Sequence, residues 1–374
     1  MRILFLVSNF PDCKNPYAGV FVYNQVKALL ASGFDVKVLY LDFRSFRRIR
    51  KWGMTRYWYN EIEVYRYSIP CGPIQKMYYW LVENVSVKAF LKVCEQEGKF
   101  DLVHAHFTDM GIAARKIKEK CGMKYVITEH SSTLLREELD EEEQNIIRTA
   151  YEKADRTLAV GSALKRKMQQ FTPQNIEVVP NILPDRFRIY KEITKNETEY
   201  VFISVVGKLT KEKKVDLVIK AFAELYKETP SISLKIYGEG KLIEELKEMV
   251  QKMQLESRIE FLGVVDNFTL PKILNQCNCF VLPSIVETFG VVYIEAAGCG
   301  LPLISANSGG TLDIVNENNG IIINNACVKE VVEAMRYIFE NRHKYVPCKI
   351  SKEVHSKFGA EAFVQKIEKI YMEI

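Results

Sequence analysis

Short apolar runs alternate along this chain with longer segments whose apolar positions recur at helical spacing. In the first half the runs are Ile3–Val7, Asp35–Leu41, Leu102–His106, Tyr125–Thr128, Thr157–Val160 and Glu177–Val179. After about residue 198 the rhythm starts again, with Tyr200–Val206, Ser233–Tyr237, Ile259–Leu262, Cys279–Leu282, Pro302–Ser305 and Ile321–Ile323. Several runs are apolar at every position, not every second one. Strands covered by helices on both faces read this way, so parallel α/β sheets are expected.

The intervening helices are equally visible. Phe21–Ala31 is periodic and stops before Gly33, and Val215–Tyr226 and Lys241–Met253 follow the same rule. The restart of the rhythm implies two successive βαβ domains. The segment Leu183–Thr198, with Pro184, charges and little apolar period, is expected to be the hinge. Residues 1–188 and 189–350 then form the two domains. Residues 351–374 form a terminal helical segment, amphipathic through Phe363, Ile367, Ile370 and Tyr371. Open α/β sheets hold ligands at the carboxyl ends of their strands. A substrate between two of them would meet one domain from each side, which suits a reaction joining two molecules.

Composition narrows the setting. The 374 residues are 48% hydrophobic and 26% charged, values of a globular protein large enough for two cores. The opening MRILFLVSNF reads as a buried strand and not a signal peptide, and no run is long enough to span a bilayer. The nine cysteines are scattered with no Cys-x-x-Cys, which points to a reducing, cytoplasmic compartment and to no metal site. The net charge of +5 is uneven: residues 1–188 hold 29 Lys/Arg against 22 Asp/Glu, the remainder 23 against 25. An anionic partner for the first half follows, either lipid headgroups or a phosphate-bearing acceptor. Nothing suggests nucleic acid.

The segment with most chemical content is Pro283–Pro302. It leaves a strand at Leu282 and should start a helix near Phe289 or Gly290 that ends near Gly298. Unpaired amides at that helix start suit a diphosphate, and Gly290 allows close approach. Glu287 lies before the helix and Glu295 inside it, among apolar and small residues. A buried carboxylate needs partners, which the two hydroxyls of a ribose supply; a partner within the fold would serve equally. A second cluster, Gly207-Lys208-Leu209 with Lys213, ends the first strand of the second half. Its two ammonium groups can neutralise a diphosphate leaving group, or form a solvated basic loop. In Asp101–His106, His104 and His106 share a strand face, and His106 lies nearer the carboxyl end. No third metal ligand has suitable spacing and no Asp-x-Asp occurs.

Glu287 and Glu295, separated by seven residues and followed by Ala-Gly-Cys-Gly-Leu-Pro, resemble the E-x7-E signature of glycosyltransferase family 4. The resemblance covers nearly the whole chain. It implies the GT-B fold: α/β, two Rossmann-like parallel-sheet domains facing a central cleft, with the C-terminal helix crossing back to the first. Residues 1–188 would bind the acceptor and 189–350 the nucleotide-sugar. It further implies Glu295 on the ribose, Glu287 and His106 on the transferred sugar, and Lys208 and Lys213 on the diphosphate, with Glu287, His106, Lys208 and Lys213 as the catalytic residues and Glu295 among the donor-binding ones. Gly19, Gly207, Gly238, Glu239, Val264, Thr288, Phe289, Gly290 and Val291 would line the donor site. His130 would face the acceptor. The chain departs from the family at Lys208 for Arg, Lys214 for Gly and a single Gly19 for the usual pair. A lysine keeps the charge and loses the bidentate fork.

Arg44–Trp52 interleaves cations with aromatic and apolar residues, so Arg47, Arg48, Arg50, Lys51 and Trp52 are expected at the acceptor or on an anionic membrane. The expected activity is retaining, metal-independent transfer of a hexose from a nucleotide-sugar (UDP ahead of GDP) to a glycan or lipid-linked acceptor. The implied setting is bacterial surface polysaccharide synthesis, in the cytoplasm or peripheral on the inner membrane face, with no cofactor. A nucleotide-sugar epimerase of related fold and a non-catalytic nucleotide-sugar-binding protein are the alternatives. An NAD-dependent oxidoreductase is disfavoured because Gly238-Glu239-Gly240 lacks the third glycine.

Overall fold

The computed structural model describes residues 1–45, 50–72, 74–136 and 138–374. The chain divides into two compact units, Met1–Ile182 with Ala360–Ile374, and Leu183–Gly359.

The first unit runs β1 (Arg2–Val7), α1 (Val20–Ala31), β2 (Asp35–Asp42), β3 (Gly53–Tyr59), β4 (Ile62–Ser68), α2 (Gln75–Glu97), β5 (Leu102–His106), α3 (Phe107–Cys121), β6 (Tyr125–Glu129), α4 (Glu141–Glu152), β7 (Arg156–Ala159), α5 (Ser162–Met168) and β8 (Ile176–Val178). Its described residues form an eight-stranded sheet in the order β3-β4-β2-β1-β5-β6-β7-β8. Every pairing is parallel except that of β3 with β4. The order reverses between β1 and β5, and this is the switch point where open α/β sheets leave a ligand crevice.

The second unit runs β9 (Tyr200–Lys208), α6 (Val215–Glu228), β10 (Ile232–Glu239), α7 (Ile243–Lys252), β11 (Ile259–Phe261), α8 (Leu270–Gln276), β12 (Cys279–Leu282), α9 (Val291–Gly298), β13 (Leu303–Ala306), β14 (Gly320–Ile323), α10 (Val328–Glu340) and α11 (Pro347–Phe358). Its sheet, β11-β10-β9-β12-β13-β14, is wholly parallel and has the Rossmann order, with the reversal between β9 and β12.

The last helix, α12 (Ala360–Met372), belongs to the first unit. Phe363, Ile367, Ile370 and Tyr371 are buried in one cluster with Phe5, Val26 and Leu29. Each such side chain contributes about 1.5–3 kcal/mol by leaving water. The Tyr371 hydroxyl lies 2.6 Å from His104 Nδ1, which adds a specific tether.

The boundaries differ from 188 and 351. Leu183 and Phe187 are fully buried, and Asn275 holds the next residues by accepting from the Tyr190 amide at 2.8 Å and donating to the Arg188 carbonyl at 2.9 Å. This stretch packs as part of the second unit despite its weak apolar period. α11 also stays there, through Ile350, Val354 and Phe358 and through Ser351 Oγ donating to the Gly298 carbonyl at 2.6 Å. The antiparallel pair β3–β4 has no counterpart in the sequence reading.

Candidate functional site

At the switch point of the second sheet, β9 and β12 release their loops side by side. β9 ends with Gly207 and Lys208, both exposed. Beside it Gly238 has φ +138°, and an added Cβ would sit 2.4 Å from the Val206 carbonyl oxygen, so only glycine fits. Its amide donates to the Gly263 carbonyl at 2.8 Å, which brings the loop holding the exposed Val264 and the exposed Glu239 to this end of the sheet.

The chain after β9 makes a single 3-10 turn, Lys211–Lys213, and enters α6 through Lys214 at φ +53°. After β12, the Ile285 amide donates to the Glu212 carbonyl at 2.9 Å, and the Gly310 amide donates to the Glu287 carbonyl at 3.0 Å. These bonds fix both loops and bring Lys213 Nζ to 2.5 Å from Glu287 Oε1. Lys208 makes no ion pair among the described residues.

Gly290 at φ +97° caps α9, and the Tyr293 hydroxyl donates to the Leu282 carbonyl at 2.5 Å, which pins the helix start over the end of β12. Thr288 and Val291 flank this start half-buried. The Phe289 ring does not line a site: it is buried against Phe358, with centroids 5.5 Å apart. Only its backbone remains for a ligand.

Glu295 is 8% exposed, and its carboxylate has no side-chain hydrogen-bond partner among the described residues. Burial pushes its pKa up to about 8, against the smaller downward pull of Arg186. The carboxyl ends of β9 and β12 thus bring together the Lys213–Glu287 pair, the exposed Gly207 and Lys208, and the start of the helix that carries the buried Glu295.

The switch point of the first sheet carries a different set. Gly19 caps α1 at φ +62°, and a Cβ there would meet the Asn9 carbonyl oxygen at 2.6 Å. His104, His106 and His130 are buried. Both ring nitrogens of His104 are engaged, Nδ1 by Tyr371 at 2.6 Å and Nε2 by Thr128 Oγ1 at 2.7 Å. His106 Nδ1 lies 3.0 Å from His130 Nε2, while His106 Nε2 and His130 Nδ1 have no partner. Burial drives all three imidazoles below their usual range, His104 and His130 to about 3, so they are neutral. His104 is thus a structural tether, while His106 and His130 each keep one ring nitrogen without a partner.

The sequence reading singled out neither Asp109 nor Phe107, and it gave Glu129 no role beyond its place in Thr128-Glu129-His130. The carboxyls of half-buried Asp109 and buried Glu129 are pushed up by desolvation, and Phe107 holds φ +72° between β5 and α3. Glu129 accepts from Thr108 Oγ1 at 2.6 Å and from the His130 and Ser131 amides, both at 2.9 Å.

Arg50 is not a surface cation. Its guanidinium is almost covered, lies 3.1 Å from the buried Asp42, and donates to the carbonyls of Ser45, Arg44 and Ile69. Arg47 and Arg48 lie outside the described residues. Lys51 and Trp52 are exposed, and Trp52, Trp58 and Trp80 keep 65%, 59% and 61% of their surface. Among the described residues no helix is long and apolar enough to cross a membrane.

Residues 18–185 match the profile described as Glycosyltransferase Family 4, and residues 185–354 that of Glycosyl transferases group 1. N-acetyl-alpha-D-glucosaminyl L-malate synthase of Bacillus anthracis is 24% identical over 331 residues, covering 85% of this chain and 84% of that protein. Sucrose-phosphate synthase of Thermosynechococcus elongatus superposes with a TM-score of 0.78 at 17% identity, over 100% of this chain and 98% of that one. HepE of Anabaena, solved with UDP and glucose, superposes at 0.73 with 18% identity over 100% of each chain.

Proposed function

This chain belongs to glycosyltransferase family 4 and uses a nucleotide-sugar donor, and we propose that it moves a hexose, with retention and without metal, from a UDP-sugar to a saccharide or lipid-linked acceptor in surface polysaccharide assembly. The observation that carries the reading is the buried Glu295 carboxylate of α9, whose helix starts just after the Lys213–Glu287 pair that joins the loops leaving β9 and β12.

On this reading the ribose hydroxyls donate to Glu295, in charge-assisted bonds worth roughly 1.5–3 kcal/mol each. The amides of the first turn of α9 take the diphosphate, with Lys208 and Lys213. Gly207, Gly238, Glu239, Val264, Thr288, Gly290 and Val291 border the donor. Glu287 orients the sugar and holds Lys213 towards the leaving group, and His106 Nε2 is left for a hydroxyl. The anomeric carbon–phosphate oxygen bond breaks and the acceptor oxygen attacks from the same face. The acceptor proton passes to the departing phosphate oxygen, whose charge the two ammonium groups stabilise. The first unit takes the acceptor. Lys51 and Trp52, with Trp58 and Trp80, supply contacts to an anionic membrane surface on the cytoplasmic side.

UDP in place of GDP follows the Anabaena structure, which holds UDP and glucose. The test is a metal-free melting screen of UDP-, GDP- and ADP-sugars, followed by proton NMR of the product anomer with an acceptor panel. A UDP-sugar should raise the melting temperature, and the new linkage should keep the donor's configuration. No shift with any nucleotide-sugar, an inverted product, or isomerisation of donor without acceptor would each refute the proposal.

A further inference from the structure

The His106–His130 pair lies behind a wall of rings. A cavity of about 490 Å³ opens at the carboxyl end of the first unit's sheet; Phe21 and Phe107 are among its described lining residues, and neither histidine is. Phe21, in the first turn of α1, and Phe107, the first residue of α3, pack on the His130 ring with centroids 4.5 and 5.2 Å away, and on each other at 5.9 Å. On β1, Phe5 stacks on His106 at 5.0 Å.

Phe107 holds its place under strain. Its φ of +72° is in the left-handed region, where the Cβ of an L residue crowds the following carbonyl oxygen. Glycine or asparagine would make the same turn from β5 into α3 with less strain. The ring is only half-buried and faces the cavity, so its burial offsets little of that strain. What phenylalanine adds to the turn is cover for the histidines behind it.

Cover matters to these two imidazoles because one hydrogen bridges them, between His106 Nδ1 and His130 Nε2 at 3.0 Å. Burial keeps both rings neutral. The outer nitrogens, His106 Nε2 and His130 Nδ1, must then differ: one carries hydrogen and the other is bare. Both are buried without a partner. Water reaching them would serve either tautomer and let the rings take up a proton. The titratable groups nearby are His104 on β5, Glu129 on β6, Asp109 on α3 and, through His104, Tyr371 on α12. His104 is neutral and bonded at both nitrogens, and burial pushes the carboxyls of Glu129 and Asp109 up.

We propose that Phe107 is a positioning residue of the transfer site: its ring shuts cavity water out, so that the His106–His130 pair stays dry and presents one tautomer to a sugar hydroxyl. The inference rests on the glycosyltransferase reading above, which puts His106 at the transferred sugar. A nitrogen already stripped of water has no solvent to shed when that hydroxyl arrives.

The test uses the full chain labelled with 15N-histidine, as wild type, Phe107→Gly, Phe107→Asn and Phe107→Tyr. Long-range proton–nitrogen spectra are followed between about pH 5 and pH 8, the range in which an ordinary histidine changes charge. His106→Gln and His130→Gln assign the signals. In wild type both rings should stay neutral and in a single tautomer throughout. In Phe107→Gly and Phe107→Asn, whose backbones accept the turn, they should titrate and average between tautomers. Phe107→Tyr restores a ring and should return the wild-type spectra. Phe107→Gly should also melt above Phe107→Ala, because glycine alone of the two is unstrained at this φ. Wild-type rings that titrate, ring-less variants with unchanged spectra, or Phe107→Ala melting at or above Phe107→Gly would each overturn the proposal. Calorimetric titration with UDP and UDP-glucose links the wall to the reaction. Phe107→Gly should bind UDP as wild type does and UDP-glucose about three- to tenfold more weakly. Unchanged UDP-glucose affinity in a variant whose spectra have opened overturns the positioning role. Failure of wild type to bind UDP counts against the glycosyltransferase reading alone, and the spectra still decide whether Phe107 keeps the pair dry.

Discussion

Lys213 Nζ and Glu287 Oε1 lie 2.5 Å apart across 74 residues of sequence, joining the loop that leaves β9 to the loop that leaves β12. The pair sits at the point where the strand order reverses, and neither partner is fully buried. The cation assigned to the diphosphate is thus already held in place before any ligand arrives, which lowers the reorganisation needed during transfer.

Removing that cation should act on turnover. Lys213→Ala is expected to lower kcat about 100-fold with a smaller change in KM, as for other single groups that stabilise developing charge. Glu287→Gln should leave the nucleotide bound but loosen the sugar. In a double-mutant cycle on stability the partly exposed pair should couple by no more than about 1 kcal/mol. A coupling near zero together with unchanged kcat would remove Lys213 from the mechanism.

Glu295 makes the ligand-free chain pH-sensitive. Its folded pKa of about 8 stands above the ordinary 4.5, so its contribution to stability is fully present below about pH 4.5 and is lost as the pH rises to 8. Glu295→Gln should flatten that limb and stabilise the empty protein near pH 8 by a few kcal/mol, on the order set by the shift. Ribose hydroxyls favour the ionised carboxylate, so UDP binding near pH 7 should release close to one proton. Calorimetry in two buffers of different ionisation enthalpy reads this directly, and no buffer dependence would contradict it.

Gly19 and Gly207 separate folding from binding. Gly19→Ala meets both a left-handed φ and the Asn9 carbonyl at 2.6 Å, and should cost about 2 kcal/mol or more. Nothing lies within 4 Å of a Cβ at Gly207, and its φ is ordinary. Gly207→Ala should change stability by less than about 0.5 kcal/mol, so any loss of UDP affinity in that variant reports a clash with ligand. Melting curves and UDP titrations on the two variants check the contrast.

Arg50 and Trp52, close in sequence, should behave oppositely. Arg50→Ala strips a guanidinium from Asp42 and several carbonyls and should cost about 3 kcal/mol. Trp52→Ala should leave the melting temperature unchanged and reduce sedimentation with vesicles containing anionic phosphatidylglycerol. Equal vesicle binding by wild type and Trp52→Ala would dismiss this face as a membrane contact. Asp42 itself, buried yet held at about 2 by hydrogen bonds from Arg44 and Arg66, should keep its contribution down to about pH 4 and lose it below.

The parallel strands were legible because full burial writes itself as unbroken apolar runs. Leu102–His106 and Cys279–Leu282 appear with the same bounds in sequence and structure. The β3–β4 pair was not, since its exposed face mixes Arg56 and Trp58 with the apolar positions of an edge strand. Glu287 and Glu295 were legible from their spacing around a helix start. The partner of Glu287 was not, because a contact across 74 residues leaves no local trace. For the same reason nothing at His104 announced Tyr371, 267 residues away, as its hydrogen-bond partner. Lys214 adopts φ +53° where the family has glycine, so the departure seen in the sequence is a strained residue in the structure. Lys214→Gly should relieve about 1 kcal/mol.

The central claim is that a buried carboxylate in α9 holds the nucleotide of the donor. Isothermal titration of UDP, without divalent metal, into wild type and Glu295→Ala tests it most directly. The account predicts binding by wild type and an affinity about 10- to 100-fold weaker in the variant, the loss of charge-assisted bonds to the ribose. Equal affinity in the two proteins would contradict it.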